Sequence, residues 1–370
     1  MPPATGIERL DAIPKDHPCL WGELEVRDAQ EADLRSWNDV TVLPTHTRRG
    51  EPRWWRRGSY GVFDAAGRHV RTLSDMRGER HCCHPRPRLV DNPFNSDRVE
   101  RHDVVLYGGT LYAAFGHLVL DSGRAYQLLR EHRQNDLPIW FHDATPHRHP
   151  GSILKLGLVQ AWLKQLGLRK RARLIRRPLV ARELISSGAL YNDRGYASRA
   201  LRPACAAALK PRLRNRLLDL PPPQRRLVYL SRHKLQGGST LYPQEAELVE
   251  QLAGMRHVDV ICPEDLSFEE KLGLYRRYAV IAGFPQACMG LKLFVPGEQL
   301  ARQVMFVSGP RSLSSTWINI DRAVGWGDAY VHCDAGFAPI VADDPSQPFQ
   351  RTNPFDPQPV LQAIRHLTSS

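Results

Sequence analysis

With 370 residues, of which 42% are apolar and 24% charged, the chain is long for one compact core, and its composition is that of an ordinary globular protein of two domains. Against 39 Asp and Glu stand 51 Lys and Arg, a formal charge of +12; this fits an anionic partner and an Arg-rich solvated surface equally well. Nothing approaches the ~20 apolar residues of a membrane span, and Met1–Arg9 holds no basic segment followed by an apolar one, which excludes an integral membrane protein and a visible secretion signal.

Residues 1–57 are rich in proline and charge, with isolated aromatics at Trp21, Trp37, Trp54 and Trp55, and read as an irregular arm with short strands that packs on the first domain. Ser59–Val70 has the pattern of a hairpin turning at Asp64–Gly67. Asp103–Tyr107 predicts a strand, Gly108-Gly109 a turn and Gly116–Arg130 a helix. Strand Pro138–Phe141, helix Ile153–Leu166 and strand Arg171–Ile175 follow. Tyr196–Leu218 reads as a basic helix stopped by Pro221-Pro222-Pro223, where the domain boundary is expected.

Beyond it, a β-branched and aliphatic run, Leu227–Leu230, delivers Ser231-Arg232-His233-Lys234 into a loop that breaks at Gly237-Gly238. Helix Pro243–Leu252, strand Val258–Cys262, helix Ser267–Tyr278, strand Ala279–Gly283, helix Pro285–Phe294 and strand Gln303–Val307 alternate strictly. A strand at Ala329–His332 and a last helix at Pro359–Leu367 complete the series, the helix able to return to the first domain. Alternation of this kind in both halves predicts an α/β protein with parallel sheets, whose ligands sit at the carboxyl ends of the strands. The expected segments are the arm at 1–57, α/β domains at 58–220 and 221–350, and the terminal helix at 351–370.

Seven cysteines form no CxxC pair, and Cys262 and Cys288 fall in core elements, which fits reduced thiols and a cytoplasmic location. His117 and Asp121 are spaced to share one helix face, as an imidazole base and the carboxylate that orients it would be, with the two roles exchangeable, or as a capping or buried His beside a solvated Asp. Arg232 and Lys234, with the Ser231 hydroxyl, suit a diphosphate, and the helix start after Gly283 suits phosphate, with Gln286 toward base or ribose. Glu269 or Glu270 is the candidate for ribose hydroxyls, although Ser267 followed by these acids is also a helix cap. His142 and His147, with Asp143 and His149, read as a substrate-facing loop. His81-Cys82-Cys83-His84 is too crowded in sequence for one tetrahedral ion, so no metal site is expected.

Several of these segments resemble glycosyltransferase family 61. Tyr229-Leu230-Ser231-Arg232, Gln244-Glu245-Ala246-Glu247, Leu266-Ser267-Phe268-Glu269-Glu270 and Val280-Ile281-Ala282-Gly283, with Phe294 and Gly297 beyond, are similar to motifs of that family's carboxy-terminal half. Phe115-Gly116-His117 through Asp121 looks like its His-x-x-x-acid helix, and Arg124 stands about one residue early for the Arg that follows there. The likeness runs from roughly Asp103 to Gly297. The chain departs from the pattern at Pro285-Gln286-Ala287, where the family has His-Gly-Ala, at Leu291 for Asn, at Lys271 for Gln, and at Gly237-Gly238 for a second Arg.

The resemblance implies a GT-B-like architecture, two doubly wound Rossmann-like domains facing across a cleft, in a divergent bacterial-type member. It implies an inverting transferase moving a sugar from a nucleotide-sugar donor, with a uridine diphosphate sugar expected, to a glycan acceptor in surface or capsular polysaccharide biosynthesis. His117 and Asp121 would be catalytic. Ser231, Arg232, Lys234, Glu269, Glu270, Gly283 and Gln286 would bind donor, and Arg124, His142 and His147 acceptor. The absence of any Asp-x-Asp removes the usual divalent-metal anchor, so no cofactor is expected. Peripheral membrane contact is compatible with the charge; nucleic acid is not expected, because aromatics are not interleaved with the basic runs. The departures also admit a catalytically weakened relative that binds glycan or nucleotide as a scaffold.

Overall fold

A computed structural model of the protein describes residues 6–45, 61–78, 80–81, 99–134, 136–144, 152–235, 240–334, 336, 340–341 and 351–369. These form a mixed α/β structure on two six-stranded sheets. The chain divides into an amino-terminal unit of residues 25–211 and a carboxy-terminal unit of residues 212–370 together with residues 1–24. The boundary therefore falls ahead of the triple proline.

Its first strand, β1 (Ile7–Arg9), pairs antiparallel with the last strand of the carboxy-terminal sheet. Residues up to Leu24 thus belong to that unit, and the following stretch supplies β2 (Leu34–Leu43) to the other. In the described part of the expected arm lie the short strands Ile7–Arg9, Leu20–Trp21 and Glu25–Arg27 and the longer β2, whose Val40 and Val42 alternate into a core that the proline-rich flanks concealed.

In the amino-terminal unit β3 (Gly61–Phe63), β4 (Glu100–Leu111), β5 (Ile139–Asp143), β6 (Ala172–Leu174) and β7 (Leu179–Ser187) join β2 in the order β6-β5-β4-β7-β2-β3. The first four run parallel, and β2 and β3 close the edge antiparallel. Helices α1 (Phe115–Leu120), α2 (Gly123–His132), α3 (Gly157–Leu166) and α4 (Leu201–Ala208) lie between or after them.

Gly108-Gly109 does not turn the chain. Both lie inside β4, where the register with β5 shifts between Tyr107 and Thr110. A Cβ on Gly108 would stand 2.4 Å from the Phe141 ring, and Gly109 has φ +88° with Arg124 Nη1 3.5 Å from where its Cβ would be. The pair is a bulge that lets a ring and a guanidinium approach the backbone. The expected helix Gly116–Arg130 is two helices, since Ser122 turns its hydroxyl back to the Leu118 carbonyl at 2.6 Å and interrupts the ladder. The expected helix Tyr196–Leu218 is likewise a short strand (Tyr196–Ser198), α4, and α5 (Pro211–Leu218), with Pro211 placing Lys210 outside both helices.

The carboxy-terminal unit follows the predicted alternation closely: β8 (Gln224–Leu230), α6 (Glu245–Ala253), β9 (Val258–Ile261), α7 (Phe268–Arg277), β10 (Tyr278–Gly283), β11 (Arg302–Val307), α8 (Ser315–Val324), β12 (Ala329–His332) and α9 (Pro357–Ser369). The segment expected as a helix from Pro285 is a 3-10 helix, Ala287–Phe294. Strand order is β9-β8-β10-β11-β12-β1, parallel except for β1. Along β11, Val304 and Phe306 enter one core cluster with α6 and α9, while Met305 and Val307 enter another with Leu10, Leu313 and Ile318. A sheet covered on both faces needs such uninterrupted apolar strands. α9 packs Val360, Leu361, Ala363 and Ile364 into the first cluster and so belongs to the carboxy-terminal unit rather than returning to the first. No helix among the described residues is long and apolar enough to cross a membrane.

Candidate functional site

In the amino-terminal sheet the strand order reverses between β4 and β7, the first and the last of its parallel strands in the chain. Past the carboxyl ends of such a pair the connections diverge and leave a crevice. The pocket found there is lined from the β4 side by Tyr112, Leu120, Asp121, Gly123 and Arg124, and from the β7 side by Ala189–Asp193. Asp75, Met76 and Arg77 complete it.

His117 and Asp121 meet as their spacing predicts: Nδ1 of His117 lies 2.9 Å from Asp121 Oδ2. The carboxylate can only accept, so the proton of the neutral ring sits on Nδ1 and the lone pair on Nε2. Burial pushes the Asp121 carboxyl up, and Asp193 adds to this, while the His117 ring and the Arg77 guanidinium pull it back. Tyr112 lies beside the imidazole at 5.5 Å between ring centroids.

Arg77 joins this group although no sequence pattern marked it. Its Nη2 lies against the His117 ring, close to both ring nitrogens, and its Nε lies 3.2 Å from Asp193 Oδ2. The short strand Met76–Arg77 is held by backbone contacts: Gly78 N donates to Asn192 Oδ1 at 2.8 Å, and Asn192 Nδ2 donates to Gly78 O at 2.9 Å. The signal that could have found Asn192 and Asp193 is turn chemistry, a polar Asn-Asp-Arg-Gly run directly after a buried strand.

Arg124 and His142, expected at the acceptor, are both buried. Arg124 borders the pocket but is 2% exposed, pairing with Asp75 at 2.9 Å and donating to the carbonyls of Thr72 and Ser74. His142 is 0% exposed, because β5 continues past Phe141 and turns the ring inward. Tyr107 donates to its Nδ1 at 2.8 Å, its Nε2 donates to the Leu43 carbonyl at 2.7 Å, and burial pushes its pKa down to about 4. His147, like His81-Cys82-Cys83-His84 from Cys82 onward, lies outside the described residues.

In the carboxy-terminal unit the order reverses between β8 and β10, and the donor-side candidates cluster past the ends of those strands. Ser231 is buried, its hydroxyl 2.7 Å from His233 Nδ1. Arg232 is half-buried and donates to the carbonyls of Pro285 at 3.3 Å and Thr240 at 3.1 Å. Gln286 donates to the Leu230 carbonyl at 2.9 Å, across Gly283, whose Cβ would stand 2.8 Å from that same oxygen. These four therefore come together, with the backbone crossing tightly between them.

Lys234, Glu269 and Glu270 are less involved. Lys234 is 61% exposed and 3.9 Å from Asp265. Glu269 pairs with Arg216 at 2.8 Å, and Glu270 closes the capping box with Ser267, whose hydrogen bonds pull its carboxyl down. The cap reading of Ser267–Glu270 is thus the one that the contacts display.

Beneath the β8 loop lies a carboxylate whose burial the sequence did not disclose. Glu245, 1% exposed, accepts from Arg232 N at 2.9 Å, Tyr229 Oη at 3.0 Å and Ser231 Oγ at 3.4 Å, and burial pushes its carboxyl up. It braces the strand end from which Ser231 and Arg232 project. Among the described residues no cluster of three or more His, Cys, Asp or Glu is arranged to hold a metal ion.

No family model matches the chain, and no curated protein matches it either.

Proposed function

We propose that the chain is an inverting, metal-independent glycosyltransferase of the GT-B type, akin to family 61. On this reading both units are Rossmann-like, and a nucleotide sugar and a glycan acceptor of surface polysaccharide synthesis are its substrates. The observation that carries the proposal is the His117–Asp121 hydrogen bond beside a pocket at the carboxyl ends of parallel strands. With Nδ1–H held by Asp121, Nε2 is the atom that accepts the acceptor hydroxyl's proton as the oxygen attacks the anomeric carbon. The bond from that carbon to the diphosphate breaks as the new glycosidic bond forms, with inversion. On the donor side Arg232 and Lys234 would neutralise the departing diphosphate.

The test is nucleoside diphosphate release and glycan product formation across a panel of nucleotide sugars, for the wild type and His117→Ala at matched melting temperature. Release and product confined to the wild type support the reading. A panel that neither turns over nor raises the melting temperature refutes it, and a product that keeps the donor's configuration refutes inversion.

A second reading, nucleotide or glycan binding without turnover, is favoured by how many donor-side groups are engaged within the protein: Arg232 on two carbonyls, Gln286 on Leu230, Glu270 in its cap. Ligand-raised melting temperature without turnover would select it.

A further inference from the structure

We propose that the basic surface formed by the solvent side of α3 and the turn into β6 docks the amino-terminal unit on an anionic lipid surface. Residues 152–182 carry nine Lys and Arg and no Asp or Glu, whereas the whole chain has 39 acids. The fold sets four of these cations, with Lys210 after α4, in one exposed group. Lys164 lies in the last turn of α3, and Arg169 and Lys170 in the turn that enters β6. Arg173 projects from β6, an edge strand. Lys210 joins them because its amide donates to the Gln165 carbonyl at 3.0 Å and its side chain runs along Gly167. The guanidinium hydrogen bonds go to neutral acceptors: Arg169 Nε to Gln160 Oε1 at 2.9 Å, and Arg173 Nη1 to the Lys170 and Ala172 carbonyls at 2.8 and 3.0 Å. Among the described residues none of the five cations forms an ion pair. Glu131 and Asp136, which precede β5, are already engaged, the first with Arg130 at 3.3 Å and the second with the Arg171 charge.

Apolar groups flank these charges. The solvent side of α3 is a stripe of Leu158, Ala161 and Lys164, opposite the buried Val159, Trp162, Leu163 and Leu166, and Leu158 is 36% exposed. Leu137, 37% exposed, is tied to the basic turn by Arg171, whose Nε donates to its carbonyl at 3.0 Å. Cations at a helix carboxyl end suit its dipole, and cations on an edge strand keep it from pairing with another sheet. Neither purpose calls for leucines held in water among them. Lipid headgroup phosphates take the cations and the acyl boundary takes the leucines, the combination by which a protein surface holds to an anionic bilayer. A nucleic acid strand would ask instead for exposed aromatic rings on which bases stack, and none stands among these residues.

The test is sedimentation of the full chain with vesicles of phosphatidylcholine mixed with phosphatidylglycerol, and with vesicles of phosphatidylcholine alone. Binding confined to the anionic vesicles and weakened by salt is expected. Each cation at such a surface is worth about fivefold in partition, so Lys164→Gln, Arg169→Gln and Lys170→Gln together should lower it about 10²-fold at an unchanged melting temperature. Should the triple variant not fold, Lys170→Gln alone should lower it about fivefold. Leu158→Ser should lower it about tenfold at any salt, the worth of burying a leucine. A control triple of equal charge on the carboxy-terminal unit, the exposed Arg256→Gln, Arg302→Gln and Arg365→Gln, should leave it unchanged. Equal loss in both triples, or no binding to the anionic vesicles, overturns the proposal. So does tighter binding to a mixed-sequence oligonucleotide that Leu158→Ser leaves intact, which would assign the surface to nucleic acid. The inference is independent of the sugar chemistry. Vesicle binding without turnover of any nucleotide sugar leaves it standing and removes the transferase; turnover without vesicle binding does the reverse.

Discussion

Asp75→Ala tests the strut beneath the pocket. Arg124 is buried and the Asp75 side chain only 9% exposed, the two lie 2.9 Å apart, and the guanidinium has two carbonyls as its other acceptors. Removing one member of a buried pair leaves an uncompensated charge at a cost of about 3–5 kcal/mol, and the two carbonyls put this case at the lower end, about 3 kcal/mol. For a unit of this size that lowers the melting temperature by about 6–12 °C. Urea unfolding followed by tryptophan fluorescence reports on it, because Trp140 and Trp162 are buried in the same unit. The double variant Asp75→Ala with Arg124→Met should lose less than the two single changes together, since a charge is no longer stranded. A loss under about 1 kcal/mol, as expected of a surface pair, or strict additivity, would refute the argument that the strut is a desolvated ion pair.

His117→Ala should reduce sugar transfer by about 10²–10⁴-fold, the range a general base contributes, with the melting temperature little changed; retained transfer would displace His117 from that role. The pKa of His142, held down at about 4 by burial, lies below its unfolded value of 6.5, so the stability it lends is full above pH 6.5 and is lost as pH falls through 4. Its ring should therefore stay neutral at pH 5.5 by NMR, and titration near 6.5 would contradict this. Asp321, 1% exposed and pushed up to about 6 by burial and by Asp328, has the opposite sign: its contribution is present below pH 3.8 and lost as pH rises through 6. Asp321→Asn should thus stabilise the protein by about 2–3 kcal/mol at pH 8 and by little at pH 3.5; a pH-independent effect would sink the assignment. Glu245→Ala strands the Arg232 amide and the Tyr229 hydroxyl and should cost about 1–3 kcal/mol, measured by denaturation.

The carboxy-terminal alternation was legible because each element carries its own local signal: the apolar run of β8, the Ser267–Glu270 box that opens α7, and the apolar runs Ala279–Ala282 of β10 and Val304–Val307 of β11. The pairing of His117 with Asp121 was legible for the same reason, four residues on one helix. What failed was non-local. Arg77 meets His117 across 40 positions, and Glu245 meets Tyr229 across 16, distances at which no periodicity speaks. Gly108-Gly109 read as a turn because the ring of Phe141, which requires the missing side chain, belongs to the neighbouring strand. His142 was read as exposed on the assumption that β5 ended at Phe141, and two further residues of strand put it in the interior.

Pairing of β1 with β12 links Glu8 to Tyr330, 322 positions later. During synthesis at about 5–20 residues per second, the outermost strand must then wait roughly 15–60 seconds for the edge it will cover. A fragment starting at residue 212 would leave that edge bare, an invitation to pair with another chain. Supplying residues 1–24 as a separate peptide should quiet such a fragment, much as a missing strand is lent by a neighbour.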